Sequence, residues 1–483
     1  MKGSQSLIID IQEILKGMSS SDDISDGGFS PLTEGLNLVG NPGAIYAPAA
    51  LVDADSDVIL TGGIIASVPD HNLADVDARL LVADNGTFYK YNGTKLQYPD
   101  EAAAEDSANT FAKGFTDAIN FDGSSFFTSK EKITKWSGAS TFDHDYTTSA
   151  FANTTYPHPA IVFENNAFYG DGKLLLRQTS ATAAPATILT LSGDEVIIAL
   201  GLDPSTSKML ISTTQTLDVS QTLSMRFRVY WYDGVSNKAD KVIDVEDAIN
   251  AFINFGGRIY VGYGTNIGYL MGSGIEFVRS LLEVYKDSNY LPTKHSFAIV
   301  GKMLCVTDGV KVLALTKIAG RDVWHYCGKN KLASPDNGKL RAIFPMGLGK
   351  LGMSMDTTKC YTLAVSAISA SVAETAPTTL NKFYFMTNWY NFARPIKPQS
   401  VELEYISQVA SSGNISLSYF DQNAATSAGS LARKNGTRTN TFVIDEMVGF
   451  LTTQKVTALK FLLENATTND GLKRIILYYD WFE

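Results

Sequence analysis

The sequence predicts an all-β fold: a β-propeller of about seven blades, preceded by an extended N-terminal arm containing a short helix and followed by a C-terminal β-sandwich. Three observations point there. Hairpin-type turns recur at a near-constant step, the runs between them alternate apolar and polar residues, and a longer-stranded pattern takes over near residue 395. The divisions that follow are 1–56 for the helix and arm, 57–394 for the propeller and 395–483 for the sandwich.

Residues 255–270, FGGRIYVGYGTNIGYL, show the repeating unit. Ile259, Val261 and Tyr263 recur with a period of two, which places them on one face of a strand. Gly264-Thr265-Asn266 forms the turn, because Gly and Asn accept the positive φ that a tight hairpin needs. Similar units turn at Asn85-Gly86, Asp122-Gly123, Asn165-Asn166, near Ser205, at Gly256-Gly257, at Gly301 and near Gly349. Marks at 86, 123, 166, 205, 257, 301 and 349 are 37, 43, 39, 52, 44 and 48 residues apart. Their mean of about 44 matches the step of a four-stranded propeller blade, with stacked β-sandwiches as the rival arrangement.

Ahead of the repeats, residues 5–18 (QSLIIDIQEILKGM) read as a helix. Leu7, Ile11, Ile14, Leu15 and Met18 share one face at helical spacing, and Ser4 stands where an N-cap belongs. The helix docks either on its own domain or on a neighbouring subunit, since one this short is marginal alone. Residues 19–56 are irregular, with Pro31, Pro42 and Pro48 discouraging regular structure. They read as an arm running over the surface, with Phe29 and Leu36 joining the five helix residues as candidate interface positions. After Pro395 and Pro398 come five longer runs, among them SVELEYI, NISLSYF and LKRIILYYDWF, which suit a β-sandwich.

Charge and composition narrow the function. Charged residues make up 19% of the chain and the net charge is −10. No Lys/Arg run supplies the basic footprint that gripping phosphate backbones requires, so sequence-specific nucleic-acid binding is not expected. No apolar run reaches membrane-spanning length and no signal-peptide pattern opens the chain, so no membrane partner is expected. Cys305, Cys327 and Cys360 lie 22 and 33 residues apart, match no zinc spacing, and read as buried thiols suited to a reducing cytosol.

Candidate chemistry is sparse. His71, His144, His158, His295 and His325 are scattered and form no HExxH or Cys-His cluster. Asp53, Asp55 and Asp57 begin like a calcium loop, but Val58 and Ile64 stand where the loop needs Gly and Glu. Asp143 and Asp145 flank His144 in a run that reads as a solvated loop. Tyr230-Trp231-Tyr232 and Trp389-Tyr390 read as packing between sheets or as rim aromatics. No catalytic, metal-binding or cofactor-binding residue is expected, and the chain is read as a non-enzyme.

The order of parts resembles the β-propeller virion proteins of tailed bacteriophages, found at tail hubs, tail tips and fibre attachments. The leader SDGGFSPLTEGLNLVGNPGAI, the divergent blades with NG- or DG-type hairpins, and the terminal VELEYISQVASSGNISLSYF with VTALKFLLENATTNDGLKRIILYYDWF carry the resemblance. It implies a structural tail component assembled in the host bacterial cytoplasm and located in the virion. Its partners would be other tail proteins and copies of itself in a homo-oligomeric ring, with adhesion to a host-surface glycan as a second role. The alternative is a glycan-binding or glycan-cleaving propeller. A degraded Ser354-Met355-Asp356 box is the one trace of the sialidase repeat.

Overall fold

The computed structural model describes residues 5–10, 33–34, 51–53, 60, 62–70, 78–92, 95–97, 117–137, 142–143, 146, 151–215, 226–281, 292–307, 309, 311–318, 321–329, 340–346, 349–355, 359–364, 383–386, 390–407, 414–421, 425–432, 442–444, 456–465 and 470–481. Seven four-stranded antiparallel sheets and one nine-stranded sheet account for the strands.

Six of the four-stranded sheets are contiguous in sequence. Their first strands are Ile64–Pro69, Asp117–Phe121, Ala160–Phe163, Glu195–Asp203, Ile249–Phe255 and Phe297–Val300, and each sheet then adds three strands in sequence order. These are blades 1 to 6. The first strands of neighbouring blades approach one another, so they are the inner strands around an axis. Blade 7 is different. Leu340–Pro345, Lys350–Met355 and Lys359–Ala364 supply three strands, and its outermost strand is Leu51–Asp53, from far earlier in the chain. The register sets Leu51 opposite Leu363, Val52 opposite Thr362 and Asp53 opposite Tyr361. The chain thus fastens its own ring by completing the last blade with a strand that precedes the first.

The core lies in the seams between blades. Pleating sends alternate residues of one blade to opposite neighbours. In blade 1, Leu81, Ala83, Tyr89 and Tyr91 pack against Ala342, Phe344 and Met346 of blade 7. Ala66, Val68, Leu80 and Val82 of the same blade meet Ala118, Phe127 and Trp136 of blade 2. Each of the remaining seams has its own cluster. In the repeating unit, Val261 and Tyr263 join the seam with blade 4 while Tyr260 joins the seam with blade 6, so both faces are buried. Inner strands come close enough that Gly201 has no room for a side chain. A Cβ there would lie 2.4 Å from Cβ of Phe252 in blade 5.

The turn marks fall one per blade. Six lie in the first hairpin of their blade, and Asn85-Gly86 lies in the second hairpin of blade 1. In blade 3 the positive-φ pair is Glu164 and Asn165, one residue earlier than the sequence suggested.

The nine-stranded network contains both ends of the chain. Its 18-residue strand, Tyr390–Ser407, pairs with Val456–Asn465 near its start and with Asp470–Trp481 over its remainder. One long strand thus bridges Val456–Asn465 and Asp470–Trp481 within a single sheet. Here the structure corrects the N-terminal helix. Gln5–Asp10 is a β-strand on the edge of Asp470–Trp481, with Leu7 opposite Leu477 and Ile9 opposite Ile475. The physical reason is tertiary. Six ladder positions and an apolar face already lined by Ile475 and Leu477 outweigh a weak local preference, and Ile8-Ile9 is β-branched and suits a strand. Thr33–Glu34 also joins this sheet, against Phe385 and Tyr384. The segment read as an arm therefore contributes strands to the C-terminal sheet and to blade 7.

Candidate functional site

All inner strands run the same way around the axis, so their first residues lie on one face of the ring. That face holds the densest polar arrangement among the described residues. The connection from blade 5 to blade 6 makes a single 3-10 turn, Lys294–Ser296. Thr293 and Ser296 hold it together through Ser296 N–H to Thr293 O (2.9 Å) and Thr293 N–H to Ser296 Oγ (2.9 Å). The turn lies beside the inner strands of blades 1, 5 and 7. Its Lys294 reaches across to blades 2 and 3, with Nζ 2.8 Å from Asp117 Oδ1 and 3.2 Å from Ala160 O. His295 Nε2 stands 3.6 Å from the same Asp117 oxygen. The other oxygen, Oδ2, accepts Ala160 N–H at 2.9 Å. One turn between blades 5 and 6 therefore touches blades 1, 2, 3, 5 and 7.

Asp117 is buried, as are its neighbours Thr128 and His158. Thr128 Oγ donates to His158 O at 2.7 Å. The His158 ring stacks on Phe151 at 3.8 Å, with Nδ1 2.8 Å from Gly170 O and Nε2 3.0 Å from Lys130 O. Asp171 accepts the N–H groups of Ala152 and Asn153. These bonds tie blade 2 to blade 3. They leave the Asp117 carboxylate engaged on both oxygens, which suits an electrostatic clasp rather than a proton-transfer group.

A second constellation sits in blade 4 on the same face. Glu195 accepts Arg228 Nη1 at 2.5 Å and the Tyr230 hydroxyl at 2.6 Å, while Arg228 Nε donates to Asp244 at 3.0 Å. Glycoside cleavage needs a free carboxylate or an activated tyrosine. Here both Glu195 oxygens are engaged, and burial together with the Glu195 bond pushes the Tyr230 hydroxyl up to about 12. A phenol held that firmly in its neutral form is a poor nucleophile.

The structure distributes the other sequence-picked residues widely. Leu7 is half-buried in the edge strand, whereas Ile11, Ile14, Leu15, Met18, Phe29 and Leu36 lie outside the described residues. Tyr230, Trp231 and Tyr232 are buried in blade 4, as packing predicts. Asp53 lies in the ring-closing strand, and Asp55, Asp57, His71, His144 and Asp145 lie outside the described residues. Cys305 and Cys360 are buried. Among the described residues, no group of His, Cys, Asp and Glu is arranged to hold a metal, and no helix is long and apolar enough to cross a membrane.

Sequence reasoning missed Asp117, Lys294, Glu195 and Arg228. It also missed the apolar outer edge. Val235, Val242, Met271 and Phe277 are large and exposed on adjacent blades 4 and 5. Lys241 Nζ donates to Gly272 O at 2.5 Å, which brings the neighbours Val242 and Met271 to the same junction.

No protein-family model matches the chain, and no curated protein matches it. Solved structures align with it at low identity. One titled YCF48 bound to D1 peptide aligns at a TM-score of 0.44 and 10% identity, over 68% of this chain and 98% of that one. YCF48 from Cyanidioschyzon merolae aligns at 0.39 and 11%, over 66% and 100%. A chain of the mitotic checkpoint complex aligns at 0.41 and 9%, over 66% and 95%. The propeller assignment rests on the strand pairing and the seams described above, not on these likenesses.

Proposed function

We propose that the chain is a protein–protein interaction scaffold, and specifically a structural component of a bacteriophage tail at a hub, tip or fibre-attachment ring. The observation that carries the scaffold reading is the combination on blades 4 and 5. Ring polar groups are tied to one another, while Val242 and Met271 are exposed at the junction of blades 4 and 5 and Phe277 is exposed on the outer strand of blade 5. Exposed large apolar side chains gathered on one part of a surface mark contact with another protein. The tail assignment adds the resemblance of the leader, the divergent blades and the terminal β region. In that setting the partners are neighbouring tail proteins and further copies of the chain, the chemistry is assembly without turnover, and the site of action is the virion.

The test is light scattering on the purified chain, followed by co-sedimentation with candidate tail proteins. Ring-sized particles, or stable capture by a tail protein that Phe277→Asp and Met271→Asp abolish, would support the reading. A monomer that binds no tail protein and turns over or retains glycans would replace it. Deleting residues 1–56 is a poor probe, because it would remove Leu51–Asp53 from blade 7.

A further inference from the structure

The strands of the nine-stranded network come from residues 383–481, apart from Gln5–Asp10 and Thr33–Glu34. Those two stand at opposite ends of its strand path, and each pairs with a single strand among the described residues. Gln5–Asp10 makes six register pairs with Asp470–Trp481, and Thr33–Glu34 makes two with Phe383–Met386. The docking is close, since Ile9 and its register partner Ile475 are both buried. Left open, the edge beside Ile475 would carry a row of unpaired N–H and C=O groups, so a strand has to fill it. Chain length decides which strands can leave home. Six residues, 54–59, separate Asp53 of blade 7 from Leu60, which is buried in the seam of blades 1 and 7. A tether that short reaches about 25 Å at most and holds Leu51–Asp53 to its own ring. Sixteen residues, 35–50, separate Glu34 from Leu51. They reach up to about 55 Å, well beyond the roughly 30 Å diameter of a small domain.

We propose that Gln5–Asp10 and Thr33–Glu34 pass between copies of this chain, so that one copy completes the C-terminal sheet of another. The occupant is a second copy because the register shows that these edges accept these strands, and an exchanged strand makes the same contacts as a home strand. Only the tether differs, so concentration sets the balance. A flexible tether gives an effective concentration of about 1 mM. Free chains well below that close on themselves, whereas copies held side by side in an assembly exchange. Leu51–Asp53 stays at home, and each ring remains fastened by its own chain. The inference rests on the scaffold reading for its setting and supplies that reading with a contact between copies. It fails separately, because capture of a tail protein through Phe277 and Met271 does not use these strands.

The experiment uses full-length chains carrying Ile8→Cys or Ile476→Cys, register partners of which Ile8 is exposed and Ile476 half-buried. The double variant, oxidised when dilute, should join positions 8 and 476 within one chain. The two single variants are then co-expressed, so that exchange can occur as the chains fold, and the purified mixture is concentrated to about 1 mM and oxidised mildly. A disulfide between positions 8 and 476 now has to link two chains. Ile8→Cys co-expressed with Val235→Cys, exposed in blade 4, reports chance collisions. The expected result is a covalent dimer on a non-reducing gel, with the 8–476 peptide pair identified by mass spectrometry and no dimer from the control. Single variants that cross-link no more than the control, while the double variant closes within its own chain, would overturn the proposal. A double variant that forms no 8–476 disulfide at any concentration would overturn it too, by contradicting the register.

Discussion

Gly201 offers a sharp test of how tightly the blades close on the axis. A Cβ at this position would lie 2.4 Å from Cβ and 2.5 Å from Cγ of Phe252. Those atoms are the root of the phenylalanine side chain, so rotating the ring does not relieve the clash. The inner strands of blades 4 and 5 would have to separate by about 1 Å, disturbing the seam that also holds Ala199, Val261 and Tyr263. Overpacking of this kind costs about 1–3 kcal/mol. Replacing a strand glycine with alanine otherwise contributes about 0.5–1 kcal/mol in the stabilising direction. Gly201→Ala is therefore expected to destabilise by about 1–2 kcal/mol, or about 2–8 °C in thermal midpoint. Gly274 is the control, since a Cβ there meets nothing within 4 Å. Gly274→Ala should be neutral or slightly stabilising. Near-ultraviolet circular dichroism during heating and urea titration reads both. If Gly201→Ala matches Gly274→Ala, the close approach of blades 4 and 5 is wrong.

Further outcomes follow from the polar ties. Asp117→Ala removes a buried carboxylate from Ala160 N–H and Lys294, and should destabilise by about 2–4 kcal/mol in urea titration, with Lys294→Met costing less because that side chain is half-exposed. Lys208→Ala should change the urea midpoint little, since its 2.8 Å pair with Asp240 is open to solvent. Burial pushes the hydroxyls of Tyr230, Tyr232 and Tyr263 up to about 12. The neutral forms are favoured in the folded chain, so their stabilising contribution is intact below about pH 10 and lost as pH rises toward 12. Tyrosinate absorbance should accordingly appear late and together with unfolding. Asp233 behaves in the opposite sense. Burial raises it, but the Ser236 hydroxyl and the N–H groups of Ser236 and Val235 bring it down to about 2, so its contribution is present above about pH 4 and fades as pH falls toward 2. Asp233→Asn should remove that acid dependence and, because the Asp233 charge helps raise Tyr232, should also slightly reduce the stability loss above pH 10.

Much of the ring was legible in the sequence because its hairpin turns are chemically explicit. Gly86, Asp122-Gly123 and Gly256-Gly257 adopt left-handed backbone, and their residues advertise it. The blade step was readable for the same reason. The parts that were not legible depend on partners far away in sequence. Residues 5–18 carry a helical stripe, yet Gln5–Asp10 is a strand because Asp470–Trp481 offers it an edge. Leu51–Asp53 is too short to signal a strand by itself, and its role comes entirely from residues 361–363. Lys294 and Asp117 are 177 residues apart, and nothing local to either predicts their pairing. Arg228 and Tyr230 gave a partial hint, since residues two apart in a strand share a face, but their common partner Glu195 did not.

Ring closure by an upstream strand is the claim on which the architecture depends, and a cross-link tests it directly. Val52 and Thr362 are register partners in blade 7. The double variant Val52→Cys/Thr362→Cys, oxidised mildly at low protein concentration, should form an intramolecular disulfide that shifts the monomer's mobility on a non-reducing gel. Pairing Val52→Cys with Thr307→Cys, in blade 6, should give none. A cross-link absent from the first pair, or found only between chains, would contradict a propeller that fastens itself.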